Sequence, residues 1–317
     1  MQQHPRYFPG KMMVREDEQM EEAMEAEGSP ERAHISTVRL RLDFSYDGTG
    51  FSGWAAQPGL RTVQSELTRA LQTILRTDIS KLTIAGRTDA GVHARGAVAH
   101  VDVPSEAYER LPGRSDRMPA EAAATRLAGV LPPDIVIDHV KVAPPGFDAR
   151  FSAVQRRYSY RIADPSGRRD PLRRHDTVFH RRSLDLVRLN SEARSLEGLA
   201  DFAAFCKKRE GATTIRHLKH YSWARGKDGV LEATVIADAF CHSMVRSLVG
   251  VVIPVAEGRR EVGWAQTVLQ SGTRHSEVTV MPPHGLVLEE VLYPEDAELA
   301  ARAEAARSLR TLSDGPV

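Results

Sequence analysis

From Val38 to Ser45 the chain alternates without a break: Val38, Leu40, Leu42 and Phe44 are apolar, while Arg39, Arg41, Asp43 and Ser45 are polar. A period of two places the apolar set on one face of a strand and leaves the other face wet, so the segment requires a sheet covered on one side. Short alternation recurs at Leu82–Ile84 and at 97–103, and further strands are expected at 135–141 and 286–293. In the run 154–162, Tyr158, Tyr160 and Ile162 share one face, and Arg157, Ser159 and Arg161 the other. The runs 217–225 and 230–238, joined by Gly226-Lys227-Asp228-Gly229, make a hairpin.

Helical spacing interrupts the strands. Thr62 is placed to cap a helix carrying Val63, Leu67, Leu71, Ile74 and Leu75 on one side. Pro119 opens a second helix, with Ala123, Leu127 and Leu131, that Pro132-Pro133 stops. Ser183 is expected to cap a third, through Leu184, Val187, Ala193 and Leu196, ending at Gly198. A long helix from His242 to Glu257 and a shorter one over 262–269 follow. Strands with interleaved helices and hairpin-scale connections imply an α+β fold: a mainly antiparallel central sheet flanked by helices. Residues 1–36 read as a flexible acidic extension, with room for a short helix near Glu16–Glu27. Pro144-Pro145-Gly146 divides a half at 37–145 from a similar half at 146–293, and 294–317 form a tail that can be helical after Pro294.

Charge is nearly balanced, at +1, so any polyanion partner must be recognised locally. Residues 150–182 carry ten arginines against three aspartates, a composition able to grip phosphates. Cys206 and Cys241, 35 positions apart, form no paired ligand motif with the histidines. Neither a disulfide scaffold nor a zinc site is expected, and a reducing cytoplasm is the simplest home. No apolar run reaches membrane-spanning length, and the N-terminus has no continuous apolar core of the signal-peptide kind.

The densest chemistry lies between the strands at 82–84 and 97–103, in Ala85-Gly86-Arg87-Thr88-Asp89-Ala90-Gly91-Val92-His93. Gly86 and Gly91 are expected to allow unusual backbone conformations and close approach of a ligand. Arg87, two residues before Asp89, would share its side in an extended chain, where a cation favours the charged carboxylate as nucleophile or base. On residue types alone, Thr88 and Asp89 also suit plain turn capping.

The nine residues 85–93 resemble the catalytic loop of the tRNA pseudouridine synthase A family at every position. The order of weaker matches agrees as well: Tyr46-Asp47-Gly48-Thr49-Gly50-Phe51-Ser52-Gly53-Trp54, Ala149–Ala153 with Arg156-Arg157-Tyr158, Ala239–Arg246 with Gly250, and Pro282-Pro283-His284-Gly285-Leu286. Departures fall at Ala55-Ala56, Ala97 and Val287. The resemblance implies a pseudouridine synthase fold with a cleft between two halves, a homodimer, and conversion of uridine to pseudouridine in the anticodon stem-loop of tRNA, at positions 38 to 40. Asp89 takes the place of the essential aspartate, acting at C1′, at C6 or through a glycal. Tyr158 takes that of the substrate-contacting tyrosine, with Arg87, Leu286 and Arg246 as further substrate contacts and Gly86, Thr88, Gly91 and His93 as loop support. Breaking the C1′–N1 bond, turning the base and rejoining it through C5 changes no oxidation state, so no cofactor and no metal are expected. The uridine must leave its stack to react.

Two other readings compete. A non-catalytic RNA-binding module on the same fold would have no use for a carboxylate beside phosphates. A small-molecule enzyme using residues 86–91 as a phosphate cradle would lack the lysine of a P-loop.

Overall fold

The structure, a computed structural model, describes residues 36–207, 213–308 and 311–312; the acidic extension and its expected helix lie outside the described residues. In chain order the strands are β1 (Thr37–Tyr46), β2 (Thr83–Ile84), β3 (His93–Pro104), β4 (Ile135–Val142), β5 (Gln155–Ala163), β6 (Val178–Phe179), β7 (Gly198–Asp201), β8 (Ile215–Arg225), β9 (Leu231–Ala237) and β10 (Leu286–Leu292). They form one sheet in the order β4-β1-β3-β10-β5-β9-β8-β7, with β2 beside β3 and β6 beside β5. Among the described residues only β3–β10 and β5–β6 pair in parallel. The fold is thus the α+β arrangement, mainly antiparallel, that the alternation implied. Strands from 37–145 occupy one end of the order and strands from 146–293 the other. They meet where β10 enters beside β3, Val287 opposite His93 and Leu288 opposite Ala94.

The helices are α1 (Val63–Leu75), α2 (Ser105–Glu109), α3 (Pro119–Val130), α4 (Leu186–Ser195), α5 (Met244–Ala256), α6 (Trp264–Gln270) and α7 (Leu299–Ala305). The Thr62 hydroxyl accepts from Ser65 N–H, and Ser65 reciprocates, which closes the first turn of α1. Val63, Leu67 and Leu71 are buried beneath it, and each such side chain contributes roughly 1.5–3 kcal/mol. Helix α5 is buried nearly all round, as its apolar composition dictates. Gly250 lets the backbone at Thr279 pass against it, since a Cβ there would stand 1.7 Å from the Thr279 carbonyl oxygen.

Several expectations shift. β3 begins at His93, earlier than the apolar run suggested. Helix α4 is capped by Asp185, which accepts from Val187 and Arg188 N–H, and not by Ser183; Val187 consequently faces solvent at 79% exposure. Gly198 opens β7 at φ +123°. Cys206 and Cys241 are joined as a disulfide, Cα atoms 5.7 Å apart, which corrects the expectation of unpaired cysteines. Separation in sequence was no guide, because the segment before β8 and the segment after β9 return to one place.

Candidate active site

The loop between β2 and β3 is tied down at several points. Ala85 N–H donates to Val98 O at 2.9 Å, Trp54 N–H to Thr88 O at 3.1 Å and Gly91 N–H to Phe51 O at 3.2 Å. The Thr88 hydroxyl lies 2.7 Å from that of Tyr46, both groups being buried. Trp54, 2% exposed, packs beneath the loop with Gly53, at φ +90°, beside it; a Cβ on Gly53 would come 3.0 Å from Thr88 O. Gly91 has the positive φ, +76°, that its residue type was expected to permit. Gly86 does not. A Cβ on Gly86 would meet only the Tyr158 hydroxyl, at 3.7 Å, so what its small size preserves is space in front of that ring.

His93 opens β3 and joins three segments. Its Nδ1 accepts from Gly48 N–H at 2.9 Å, and its Nε2 lies 2.6 Å from His175 O and 3.1 Å from His284 O. This pattern assigns the Nε2–H tautomer. Asp47 Oδ1 also stands 3.0 Å from Nδ1, but a nitrogen that accepts from Gly48 has no proton to offer it.

Asp89 projects from this fixed loop toward the N-terminus of α5. Its Oδ2 accepts from Arg246 Nη1 at 3.1 Å and from the Ser243 hydroxyl at 3.2 Å, while His242 Nε2 lies 3.1 Å from Oδ1. Arg246 is itself fixed, its Nε donating to Met281 O at 2.6 Å. Ser243 is the N-cap of α5 yet makes no cap bond; it holds a left-handed backbone, φ +63°, and gives its hydroxyl to Asp89. The carboxylate therefore sits in front of a helix N-terminus with a guanidinium beside it, both of which favour negative charge. Its side chain remains 21% exposed, enough to be reached. The cation beside Asp89 was expected to be Arg87. Arg87 is exposed instead and makes no ion pair with Asp89 among the described residues.

Tyr158, on β5, is buried with its hydroxyl toward Gly86 and its ring edge-to-face with Phe240, centroids 5.1 Å apart. Burial, with Asp89 nearby, pushes the Tyr158 phenol up to about 12. Leu286, 5% exposed, begins β10. Arg156, buried on the same strand as Tyr158, meets no carboxylate among the described residues; it donates to Asp238 O at 2.6 Å, Arg150 O at 2.8 Å and Ala85 O at 2.9 Å. It thereby stitches the start of the Asp89 loop to the end of β9. Burial lowers its pKa, and Arg302 and Arg150 push in the same direction.

All of these groups except His93 line or underlie one cleft of about 1220 Å³, larger than the 300–1,000 Å³ usual for a small-molecule site. Nine lysines and arginines line it against three aspartates. Of the three, Asp148 accepts from Arg150 and Phe151 N–H and Asp238 from His217 and Ala239 N–H, whereas the Asp89 carboxylate meets only side chains among the described residues. The basic character does not come mainly from the arginine-rich stretch: Arg161 there reaches Glu232 and Arg173 reaches Asp176. Of the nine, only Arg150 and Arg156 come from that stretch; Lys81, Arg87, Lys207, Arg216, Arg246, Arg302 and Arg307 lie elsewhere along the chain. Sequence reasoning missed Ser243 and Phe240; the signal in each case was adjacency to Arg246 in the matched run at 239–246. Among the described residues no cluster of His, Cys, Asp or Glu suits a metal ion.

A family model described as tRNA pseudouridine synthase matches residues 193–294. A Streptomyces avermitilis protein named tRNA pseudouridine synthase A is 54% identical over 278 residues, covering 87% of this chain and 95% of its own length. Its namesake in Cutibacterium acnes is 54% identical over 280 residues, 87% of this chain and 96% of that one. The Mycobacterium leprae protein of the same name is 46% identical over 278 residues, 86% and 96% respectively.

Proposed function

We propose that this chain, which belongs to the tRNA pseudouridine synthase A family of isomerases, converts uridine to pseudouridine in the anticodon stem-loop of tRNA, at positions 38 to 40, with Asp89 as nucleophile. The observation that carries the reading is the fixed, partly accessible carboxylate of Asp89, held by Arg246, Ser243 and His242 at the floor of a basic cleft with Tyr158 alongside.

The C1′–N1 bond must break, the uracil must rotate without leaving, C5 must bond to C1′, and the C5 proton must depart. Attack at C1′, addition at C6 and the glycal route all need a charged carboxylate fixed on one face of the nucleotide. The Arg246 guanidinium and the N-terminus of α5 support that charge. Tyr158, with Phe240 against it, offers an aromatic surface to the flipped base, and Leu286 an apolar wall that hinders escape of the detached uracil. The phenol keeps its proton throughout the neutral range, so it can donate a hydrogen bond. Arg87, exposed at the loop, is free to meet a phosphate or fill the gap left by the base. Thr88, Gly91 and His93 hold the loop that presents Asp89, and Gly86 leaves open the space before Tyr158.

A tRNA substrate supports a cytoplasmic location; the cysteines no longer argue for it, given their bridge. No described helix is long and apolar enough to cross a membrane. We assign a homodimer on the family resemblance, to be tested by light scattering. The deciding experiment is incubation of unmodified tRNA transcript with the purified full chain, followed by chemical mapping of pseudouridine. Product at 38 to 40 is expected; product elsewhere, or none, overturns the assignment.

A further inference from the structure

Helix α7 lies beyond the segment matched by the family model, yet it forms part of the cleft wall. It is seated firmly. Leu299 and Ala303 are buried, the Ser152 hydroxyl donates to Leu299 O at 3.0 Å, and Gly146, at φ +76°, leaves room for Ala300, whose Cβ would lie 2.5 Å from any Cβ placed there. This docking presents Arg302 and, just beyond the end of the helix, Arg307 to the cleft.

Arg302 is half-buried and makes no hydrogen bond or ion pair among the described residues. Burial lowers its pKa and no acid offsets the effect. Arg150 and Arg302 both disfavour the charge on Arg156 behind them, so three guanidiniums gather at this wall. Arg150 and Arg307 also place their guanidinium carbons 4.9 and 5.4 Å from the centre of the Phe151 ring. Two acids are near. Asp148 Oδ1 is engaged by Arg150 and Phe151 N–H, and Glu304 forms an exposed pair with Arg307 at 2.9 Å. A partly desolvated cation without a counter-ion is unfavourable unless an anion arrives to meet it.

We propose that Arg302, supported by Arg150 and Arg307 around Phe151, forms a phosphate-binding subsite in the cleft wall that takes a backbone phosphate of the RNA flanking the reacting nucleotide. The proposal rests on the reading that the cleft takes RNA, and it adds a contact point supplied by α7, away from Asp89. The ligand is a phosphodiester, gripped through charge and the planar donor fork of arginine, with no preference for base identity.

The test uses the full chain and an unmodified anticodon stem-loop RNA. Arg302→Gln is expected to raise Kd and KM about five- to tenfold and to reduce the slope of log Kd against log salt by about 1. The single-turnover rate at saturating RNA should be unchanged. Thermal stability should hold or rise, because an unpaired charge has been removed. Arg302→Lys should recover most of the affinity, and Arg110→Gln, whose side chain pairs with Glu106 outside the cleft, should match the parent. If Arg302→Gln binds RNA with the parent's affinity and salt slope while the parent modifies tRNA, the subsite is refuted and the enzymatic reading stands. If Arg302→Gln instead loses thermal stability and Arg302→Lys restores stability without affinity, the residue is structural and the subsite is again refuted. Should the parent form no pseudouridine, the enzymatic reading falls, and the binding comparison still decides whether this wall holds RNA.

Discussion

Replacing Asp89 with Asn separates chemistry from architecture more cleanly than any other change at this site. The amide can keep its oxygen at the Oδ2 position, where Arg246 and Ser243 both donate, and put its N–H₂ at the Oδ1 position. There it can donate to His242 Nε2, 3.1 Å away, if that ring carries its proton on Nδ1. All three contacts survive, and what disappears is the negative charge opposite Arg246, which keeps its own bond to Met281 O. Losing the charge from a partly buried ion pair while retaining its hydrogen bonds costs about 1–3 kcal/mol, a minor part of the roughly 5–15 kcal/mol that holds a folded chain together. A thermal shift of about 2–4 °C per kcal/mol is expected for a domain of this size. Turnover should fall at least about 1000-fold, equivalent to about 4 kcal/mol in the barrier, because the proposed nucleophile is gone. The assay is release of tritium from tRNA labelled at uridine C5, under single-turnover conditions, beside a filter-binding measurement of affinity. Turnover within tenfold of the parent would move the nucleophile elsewhere. Affinity lost in step with turnover would make Asp89 a binding group.

Other outcomes follow from the same geometry. Arg246→Gln removes the guanidinium between Asp89 and Met281 O and should lower kcat by about 100-fold with little change in KM; a large rise in KM alone would mean that Arg246 holds substrate. Gly91→Ala forces a side chain onto a φ of +76° with Pro283 at 3.0 Å and should lower the unfolding free energy by about 1–2 kcal/mol in urea. Gly86→Ala should leave stability intact and weaken RNA binding, since its methyl enters the space before Tyr158; equal destabilisation of both variants would contradict the roles assigned to the two glycines. Burial raises the folded-state pKa of Tyr46, Tyr158, Tyr160, Tyr221 and Tyr293 above the ordinary value. Their contribution is therefore complete below about pH 10 and declines above it, by roughly 1.4 kcal/mol per pH unit for each tyrosine until that group's own raised pKa is reached, about 12 for Tyr158. Urea midpoints that stay flat from pH 10 to 11.5 would refute that burial.

The alternating residues of β1 and β5 made the sheet legible, and the capped apolar stripe of α1 did the same for a helix, because each signal is local. Short elements such as α2, β6 and β7 carry too few residues for a period to show. Asp89 and Tyr158 could be named from matched motifs, but the partner of Asp89 could not be derived from spacing. Arg87 is two residues away and turns outward, while Arg246 is 157 residues away and arrives through the packing of α5. The left-handed backbone of Ser243 and the meeting of Cys206 with Cys241 are likewise products of three-dimensional closure, invisible to any reading of neighbours along the chain.

The position of β10 bears on how the molecule is made. Its residues, Leu286–Leu292, follow the other nine strands along the chain, yet they fill the middle of the sheet between β3 and β5. A nascent chain halted before Leu286 would expose two unpaired strand edges facing one another across a gap, each a template for wrong partners. The two flanking strands thus wait for their shared neighbour, so a ribosome that stalls before Leu286 releases an aggregation-prone product.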